Sequence, residues 1–308
     1  MPNETEEPPG SACPPRPTGD RRRSVGACVA RPLARCLGRV AAAVFALAVL
    51  PFAVAHPASA IDEVVDLELV LAVDVSWSMD LDEQVLQRDG YVAAFRHPDV
   101  IAAIQSGDWG RIAVTYVEWA GVGLQHTRVP WTIVDGPETA TAFAALLAEA
   151  PLGRLRRTSI SSALDRTGEL FEGNGIEGMR RVVDVSGDGP NNMGGPVTAA
   201  RDRLIEAGIV VNGLPIMLKR PGAGGYFQIP DLDIYYEDCV IGGFGSFVIP
   251  VRARSEFADA IRRKLVLEIA AAPPPDPPVI RAQYGTVRSR IDCLIGERMW
   301  QQWQDGRW

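Results

Sequence analysis

The chain has 308 residues, of which 47% are hydrophobic and 22% charged, an ordinary balance for a globular protein. Its formal charge is −7, and leaving out the 7 basic and 4 acidic residues among the first 60 gives a charge of about −10 for the rest. This balance argues against nucleic acid as a partner, because a phosphate backbone needs a basic protein surface.

The N-terminal part of the chain has the pattern of an export signal. Residues 1–39 are rich in proline and arginine, an apolar run extends from Val40 to Val54, and small residues lead to Ala60. A basic region, a short apolar core and an A-x-A site predict a secretory signal cleaved after Ala60. The apolar run is short for a membrane span, so we expect no stable span after cleavage and a periplasmic or secreted mature chain.

Two cysteines remain beyond the predicted cleavage site, Cys239 and Cys293. Cysteines in an exported chain can pair, so we expect a disulfide between them, and two buried free thiols are the alternative.

From Val65 to Ala271, strand patterns alternate with helix patterns. The predicted strands are Val65–Val73, Arg111–Trp119, Thr127–Val134, Arg181–Val185, Ile209–Ile216 and Ser246–Val251. The predicted helices are Leu81–Phe95, Pro98–Gln105, Pro137–Ala150, Thr158–Phe171, Pro196–Ala207 and Ser255–Ala271. This alternation predicts an α/β fold in which a doubly wound, mostly parallel six-stranded sheet carries one antiparallel edge strand.

Local signals set the ends of these elements and of the domain. Asp80, with Glu83 three residues later, predicts a capping box for the first helix, and Ser255 is the expected cap of the last. We expect one domain over residues 61–272 with a loop insertion at 219–243, a proline-rich linker at 273–278 and a tail at 279–308.

Oxygen-bearing side chains follow the first strand at alternate positions. Asp74, Ser76 and Ser78 form a D-x-S-x-S motif directly after a run that is apolar enough to be buried on both faces. Thr158 opens a later helix, and Asp188 follows the fourth strand. Ligands of open α/β sheets bind at the carboxyl ends of the strands, so these five residues are expected to converge there. Carboxylates and hydroxyls without His or Cys suit a hard cation, Mg²⁺ or alternatively Mn²⁺ or Ca²⁺.

This order of motifs resembles the metal-ion-dependent adhesion site of von Willebrand factor type A domains. More narrowly, the segments VDVSWSM, RIAVTYVEWAG, VVDVSGDGPNN and IGGFGSFV resemble a bacterial family of exported von Willebrand A-like proteins of unknown function, over about Val65 to Ala271.

The resemblance implies a role for each site residue. Ser76, Ser78 and Thr158 would offer hydroxyls to the metal, and Asp74 and Asp188 would act mainly through water. The remaining coordination position would take a carboxylate from a protein partner. The assignment at Thr158 stays open, because Ser159, Ser161 and Ser162 are neighbours in the sequence.

Two other functions remain as alternatives. Asp74 and the GDGPNN segment are similar to parts of haloacid-dehalogenase-type phosphatases, which would also use Mg²⁺. Those enzymes need a general acid two residues after the nucleophile, where this chain has Ser76, which cannot act as an acid near neutral pH. A metal-independent structural protein of the envelope is the second alternative.

The flanks of the motif add two open questions. Trp77 would anchor a ligand if exposed, or would pack beneath the loop. Arg154, Arg156 and Arg157 would steer an acidic ligand toward the metal, but a charge cluster of this kind is more often a solvated loop, which is the interpretation we favour.

Overall fold

A computed structural model describes residues 62–219, 227–270 and 290–306. All of these belong to one structural unit that spans residues 58–308. The predicted signal segment and the proline-rich linker at 273–278 lie outside the described residues.

In the part of the chain that the structure describes, seven strands form a main sheet of five and a small parallel pair. Their bounds are β1 Glu63–Val65, β2 Leu67–Asp74, β3 Ile112–Trp119, β4 Gln125–Val134, β5 Ile176–Gly178, β6 Arg181–Gly187 and β7 Ile209–Pro215. The main sheet has the order β4-β3-β2-β6-β7, and β1 pairs with β5. Within the main sheet only the pairing of β3 with β4 is antiparallel, so the antiparallel strand lies at the edge as predicted.

The described residues form eight α-helices. They are α1 Leu81–Phe95, α2 Pro98–Gln105, α3 Pro137–Glu149, α4 Ile160–Glu169, α5 Val197–Glu206, α6 Leu232–Tyr235, α7 Phe257–Ile269 and α8 Ile295–Gln304. In the part of the chain that the structure describes, no helix combines the length and the apolar character needed to cross a membrane.

Strand β2 shows why this sheet is doubly covered. Leu69 and Leu71 point into a core that includes residues of α1, α3 and α7, such as Phe95. Val70 and Ala72 point into a second core with residues of α4, α5 and α6. All eight residues of β2 are buried, because side chains alternate between the faces of a strand and helices cover both faces.

The start of α1 follows directly from the sequence. The Asp80 carboxylate accepts a hydrogen bond from the Glu83 backbone N–H at 2.8 Å, and the Glu83 carboxylate accepts one from the Asp80 N–H at 2.9 Å. This reciprocal arrangement is the predicted capping box, and α1 has the predicted bounds.

Two predictions near the C-terminal end of the domain are wrong. The expected sixth strand, Ser246–Val251, forms only isolated bridges, in which Val248 pairs with Gly213 and Val251 with Ile216. Ser255 does not cap α7, because it lies inside a short 3-10 turn, Arg254–Glu256, whose backbone is already helical.

The segment predicted as an inserted loop, 219–243, also contains helical structure. Helix α6 is followed by a π-helix, Tyr236–Val240. Tyr235 and Tyr236 are fully buried against the sheet, so packing rather than helical periodicity determines this structure. Helix α8 in the tail was not predicted either.

Candidate metal-binding site

The sheet brings the first and last predicted site residues together. Strands β2 and β6 are parallel neighbours in which Val73 pairs with Ser186. Asp74 therefore lies beside Gly187, and Asp188 follows at the same edge, because parallel strands end on the same side of a sheet.

A chain of short contacts links the first loop to the last. The Asp74 carboxylate accepts a hydrogen bond from the Ser76 N–H at 2.7 Å. The hydroxyls of Ser76 and Ser78 lie 2.8 Å apart, and the Ser78 hydroxyl donates to Asp188 Oδ1 at 2.5 Å. Four of the five predicted site residues thus form one connected group.

Among the described residues Thr158 forms no hydrogen bond with these four, but its backbone is bonded to the loop that follows Asp188. Thr158 lies one residue before Ser159, the N-cap of α4. Its N–H donates to Asn192 Oδ1 at 3.2 Å, and its carbonyl accepts from the Asn192 N–H at 3.0 Å. The loop that carries Thr158 is therefore tied to the loop that carries Asp188.

The hydroxyl groups near Thr158 are already engaged. Ser159 caps α4 and donates to the Met193 carbonyl at 3.1 Å, and Ser161 lies 3.4 Å from the same carbonyl. Ser162 lies 3.2 Å from the Gln125 side-chain amide. Among the described residues the Thr158 hydroxyl forms no hydrogen bond. Its oxygen is therefore freer than those of the neighbouring serines to act as a metal ligand.

The two carboxylates are buried and affect each other. Burial, together with the charge of Asp188, raises the pKa of Asp74 well above its usual range. Burial raises the pKa of Asp188 as well, even though Ser78 and Lys219 favour its charged form. Asp74 Oδ2 is buried and has no hydrogen-bond partner among the described residues. Both carboxyl groups thus resist ionisation where they lie, and a cation between them would favour their charged forms.

Lys219 is a site residue that the sequence did not predict. Its ammonium group donates to the Ser78 carbonyl and to the Glu83 carboxylate, and lies 3.4 Å from Asp188 Oδ2. Burial alone would lower the pKa of Lys219, but its hydrogen bond to Glu83 and the charge of Asp188 outweigh burial and raise the pKa. The residue follows β7 in a segment without clear periodicity, so no sequence signal placed it here.

Tyr236 is a second unpredicted residue beneath the site. A Cβ atom built on Gly187 would lie 2.9 Å from Asp74 Oδ2 and 3.0 Å from the Tyr236 hydroxyl. Burial, and then the charge of Asp74, raises the pKa of this tyrosine well above its usual range. Tyr236 therefore remains a protonated donor close to Asp74, and its hydroxyl has no partner among the described residues.

Helix α8 lies against the loop that follows Asp188. Glu297 accepts a hydrogen bond from the Asn191 side chain at 2.6 Å. A Cβ atom on Gly296 would lie 2.1 Å from the Asn191 carbonyl oxygen, so only glycine allows the helix to approach this closely. A disulfide joins Cys239 to Cys293 just before the helix, which is the pairing expected from the sequence.

A cavity of about 250 Å³ opens beside the group. Asp188, Lys219 and Arg252 line it together with apolar side chains that include Met217 and Ile229. This cavity offers space for part of a ligand next to Asp188.

The chemistry of the group is that of carboxylates and hydroxyls. Within the described ranges, no cluster of three or more His, Cys, Asp or Glu side chains lies close enough together to hold a metal ion. Any cation held here would therefore depend on the hydroxyls of Ser76, Ser78 and Thr158 in addition to the two carboxylates.

The fold and this order of loops define a von Willebrand factor type A-like domain. The chain belongs to the family described as "Protein of unknown function (DUF1194)", whose model matches residues 63–273. No protein with a curated description matches the sequence.

Solved structures with a similar fold include proximal thread matrix protein 1 from the mussel byssus, with a TM-score of 0.51 and 16% identity over 68% of this chain and 49% of that chain. Our chain thus spans about half the length of the mussel protein. Another structure of that protein, described as having a zinc-occupied MIDAS motif, has a TM-score of 0.47 and 16% identity over 68% and 49% of the two chains. A von Willebrand factor type A protein from Catenulispora acidiphila has a TM-score of 0.46 and 15% identity over 67% and 43%.

Proposed function

We propose that this protein is an exported interaction module that holds one divalent cation at the carboxyl edge of its sheet and recognises an acidic group of a protein partner. Asp74, Ser76, Ser78, Thr158 and Asp188 would hold the cation. The bound cation would supply a directional attraction for a carboxylate.

One observation carries this proposal: the unpartnered, buried Asp74 Oδ2 next to a second buried carboxylate, Asp188. A buried charged oxygen without a partner is costly, and a cation that contacts both carboxylates would remove that cost. Hard oxygen donors favour Mg²⁺, Mn²⁺ or Ca²⁺ over softer metals.

The donor set fits a cation that is not fully enclosed by protein. Two carboxylates balance a charge of +2, and hydroxyls are weak ligands that leave room for water or for an external oxygen. Asp188 also lines the cavity beside the site, so an acidic side chain of a partner has space to approach.

Calorimetric titration of the full chain with MgCl₂, MnCl₂ and ZnCl₂ tests the proposal. Zinc is included because the mussel protein has been described with a zinc-occupied motif. We expect Asp74→Asn to weaken Mg²⁺ binding by about 10- to 100-fold, the usual effect of losing a group that supports a metal.

Asp80→Asn is the matched control. It also removes one carboxylate from the same loop, but asparagine caps a helix as well as aspartate does, and Asp80 points toward Glu83 rather than toward Asp188. Wild-type protein that bound no divalent cation, or an Asp74→Asn variant that bound it equally well, would refute the proposal.

The proposal assigns no catalytic activity. A phosphatase of the haloacid-dehalogenase type would need an acid at position 76, and a serine stands there. Lys219 contacts Ser78, Glu83 and Asp188 and not Asp74, the residue that would be the nucleophile. Release of phosphate from p-nitrophenyl phosphate that Asp74→Asn abolished would favour the enzyme, whereas a melting temperature insensitive to divalent cations would favour a purely structural role.

A periplasmic or secreted location is part of the proposal and rests on the N-terminal sequence pattern. Fractionation of cells that express the full chain tests it, and N-terminal sequencing of the exported form should begin at residue 61.

A further inference from the structure

Three exposed guanidinium groups lie beside the candidate metal loop. They belong to Arg154, Arg156 and Arg157, which we call the arginine loop. Among the described residues, none of the three forms an ion pair with a carboxylate. Their charges are therefore available to a ligand.

The arginine loop is held against the metal loop by its backbone. The Leu155 N–H donates to the Val75 carbonyl at 2.9 Å, and Leu155 pairs with Ser76 as an isolated parallel bridge. Arg157 has a φ of 74°, a left-handed conformation that is uncommon for a residue with a side chain. Such a conformation persists only where surrounding contacts fix it, and here Thr158 is fixed by Asn192.

Aromatic rings hold the guanidinium groups in place. The Arg156 guanidinium lies 4.0 Å from the centroid of the Trp77 ring, and that of Arg154 lies 6.0 Å away and donates to the Trp77 carbonyl at 3.4 Å. Arg157 lies 4.1 Å from the Trp300 ring of α8. Stacking on a ring face fixes the plane of a guanidinium and leaves its N–H groups free, which prepares it for a carboxylate.

Trp77 is itself part of the metal loop, between Ser76 and Ser78, and its side chain is 52% exposed. It does not pack beneath the loop. Arg156, which stacks on this ring, therefore lies beside the loop that would hold the cation. The arginine loop is exposed, as expected of the solvated loop that we favoured, but aromatic rings also hold two of its guanidinium groups.

We propose that the arginine loop, supported by the Trp77 ring, binds further carboxylates of the same acidic protein segment whose first carboxylate occupies the metal site. This inference rests on the proposed function and specifies its partner: a segment with several Asp or Glu residues, rather than a lone acidic side chain. Arginine binds carboxylates through paired N–H groups, and Trp and Arg are enriched at the centres of protein interfaces. Nucleic acid is disfavoured by the strongly acidic character of the rest of the chain.

The test compares two fluorescent peptides of equal length, one with a single Asp in a Gly-Ser background and one with a run of Asp and Glu. Binding to the full chain is measured by anisotropy in Mg²⁺ and in EDTA. We expect the acid-rich peptide to bind the double variant Arg154→Gln/Arg156→Gln about tenfold more weakly than wild type, the scale of charge pairs at an interface. Binding of the single-Asp peptide and of Mg²⁺ itself should not change.

Arg166→Gln/Arg203→Gln is the matched control. It removes the same charge from exposed arginines that already pair with Glu169 and Asp165, and should leave both peptides unaffected. Trp77→Leu keeps every charge but removes the ring on which Arg156 stacks, so it should weaken binding of the acid-rich peptide. Unchanged binding to Trp77→Leu would overturn the stacked arrangement.

The outcomes separate this inference from the proposed function. Equal binding of the acid-rich peptide to wild type and to Arg154→Gln/Arg156→Gln would overturn the inference, even if Mg²⁺ and the single-Asp peptide bound as proposed. If the acid-rich peptide bound wild type equally well in Mg²⁺ and in EDTA, and the arginine substitutions still weakened its binding in EDTA, the proposed function would be overturned instead. Tighter, arginine-dependent binding of an oligonucleotide of equal charge would overturn the choice of an acidic protein segment.

Discussion

At the scale of single residues, Lys219 partly neutralises the negative charge of the candidate site in the absence of a metal. Its ammonium group lies close to Asp188 and Glu83, so part of the negative charge at the site is already neutralised. A divalent cation would have to approach Asp188 against this positive charge. Lys219 would therefore weaken the proposed metal binding while it stabilises the metal-free site.

Replacing Lys219 by methionine should tighten Mg²⁺ binding by about tenfold, because one nearby repulsive charge is removed. The metal-free variant should also melt at a lower temperature, since Asp188 and Glu83 lose their partner. Calorimetry and thermal melts measure both effects.

Arg252→Met is the control for Lys219→Met. Arg252 lines the same cavity, but its guanidinium pairs with Asp233 at 2.6 Å. If Lys219→Met bound Mg²⁺ no better than Arg252→Met does, Lys219 would not be a competitor of the metal.

Gly187 makes room for the Asp74 carboxylate. The Cβ of an alanine would lie 2.9 Å from Asp74 Oδ2, a contact that side-chain carbon atoms do not normally make. Gly187→Ala should therefore displace Asp74, weaken Mg²⁺ binding and destabilise the fold by about 1–3 kcal/mol.

Gly195→Ala provides the comparison, because a Cβ at Gly195 meets no atom within 4 Å. Calorimetry and urea denaturation of the two variants should differ clearly. Equal Mg²⁺ affinity and equal stability of the two variants would mean that a Cβ atom at position 187 does not displace Asp74, or that the position of Asp74 does not affect Mg²⁺ binding.

At the scale of elements, α7 is joined to the sheet by a buried group of charges. Lys264 lies 2.7 Å from Asp184 on β6 and also donates to Glu268. Asn212 on β7 donates to Glu268 at 3.0 Å. Burial, followed by the charge of Asp184, raises the pKa of Glu268 to about 7, because one ammonium group cannot fully compensate two carboxylates.

This pKa has a defined effect on stability. The folded state keeps the proton of Glu268 up to about pH 7, whereas the unfolded chain loses it near the ordinary value of 4.5. The unfolded state binds fewer protons in that window, so the contribution of Glu268 to the unfolding free energy falls as pH rises from about 4.5 to about 7. The fall amounts to about 3 kcal/mol.

Glu268→Gln should remove this fall, because glutamine resembles the protonated acid at every pH. Urea denaturation should give wild type and variant similar unfolding free energies at pH 5. At pH 8 the unfolding free energy of the variant should exceed that of wild type by about 3 kcal/mol. Parallel stability profiles for the two proteins would contradict a raised pKa at Glu268.

Helix α8 is connected to the domain by the disulfide, whose cysteines are 54 residues apart in the sequence. For a loop of this length, the chain-entropy model gives a decrease of about 4 kcal/mol in the unfolding free energy when the disulfide is removed. In Cys239→Ala/Cys293→Ala we expect the unfolding free energy to fall by up to that amount, and the amides of α8 to exchange faster with solvent than in wild type. Unchanged protection of α8 would mean that Glu297 and Trp300 suffice to hold the helix.

The elements differ in how well the sequence predicts them, and the reasons are physical. Helix α1 carries its own start signal at Asp80, and strand β2 is apolar from Leu69 to Val73, so both could be predicted from local residues. The π-helix around Tyr236 and the bridges at Val248 depend on contacts with residues far away in the chain, which no local pattern contains. Helix α8 does have Ile295, Met299 and Trp303 at helical spacing, but it obtains its position from the disulfide and from Asn191.

At the scale of the whole molecule, the candidate site is a product of topology. Asp74 and Asp188 are 114 positions apart in the sequence, yet the parallel pairing of β2 with β6 makes them neighbours. The prediction that these loops converge needed only the alternation of strands and helices. The position of Lys219 and the stacking on Trp77 depend on side-chain packing between loops, so the sequence could not predict them.

The most direct measurement of the central claim is the anomalous difference density of crystals soaked in MnCl₂. Our account predicts one dominant peak among Asp74 Oδ2, the hydroxyls of Ser76 and Ser78, and Asp188, with the Lys219 ammonium moved away from Asp188. Crystals with no peak there, and with Lys219 still in contact with Asp188, would contradict it.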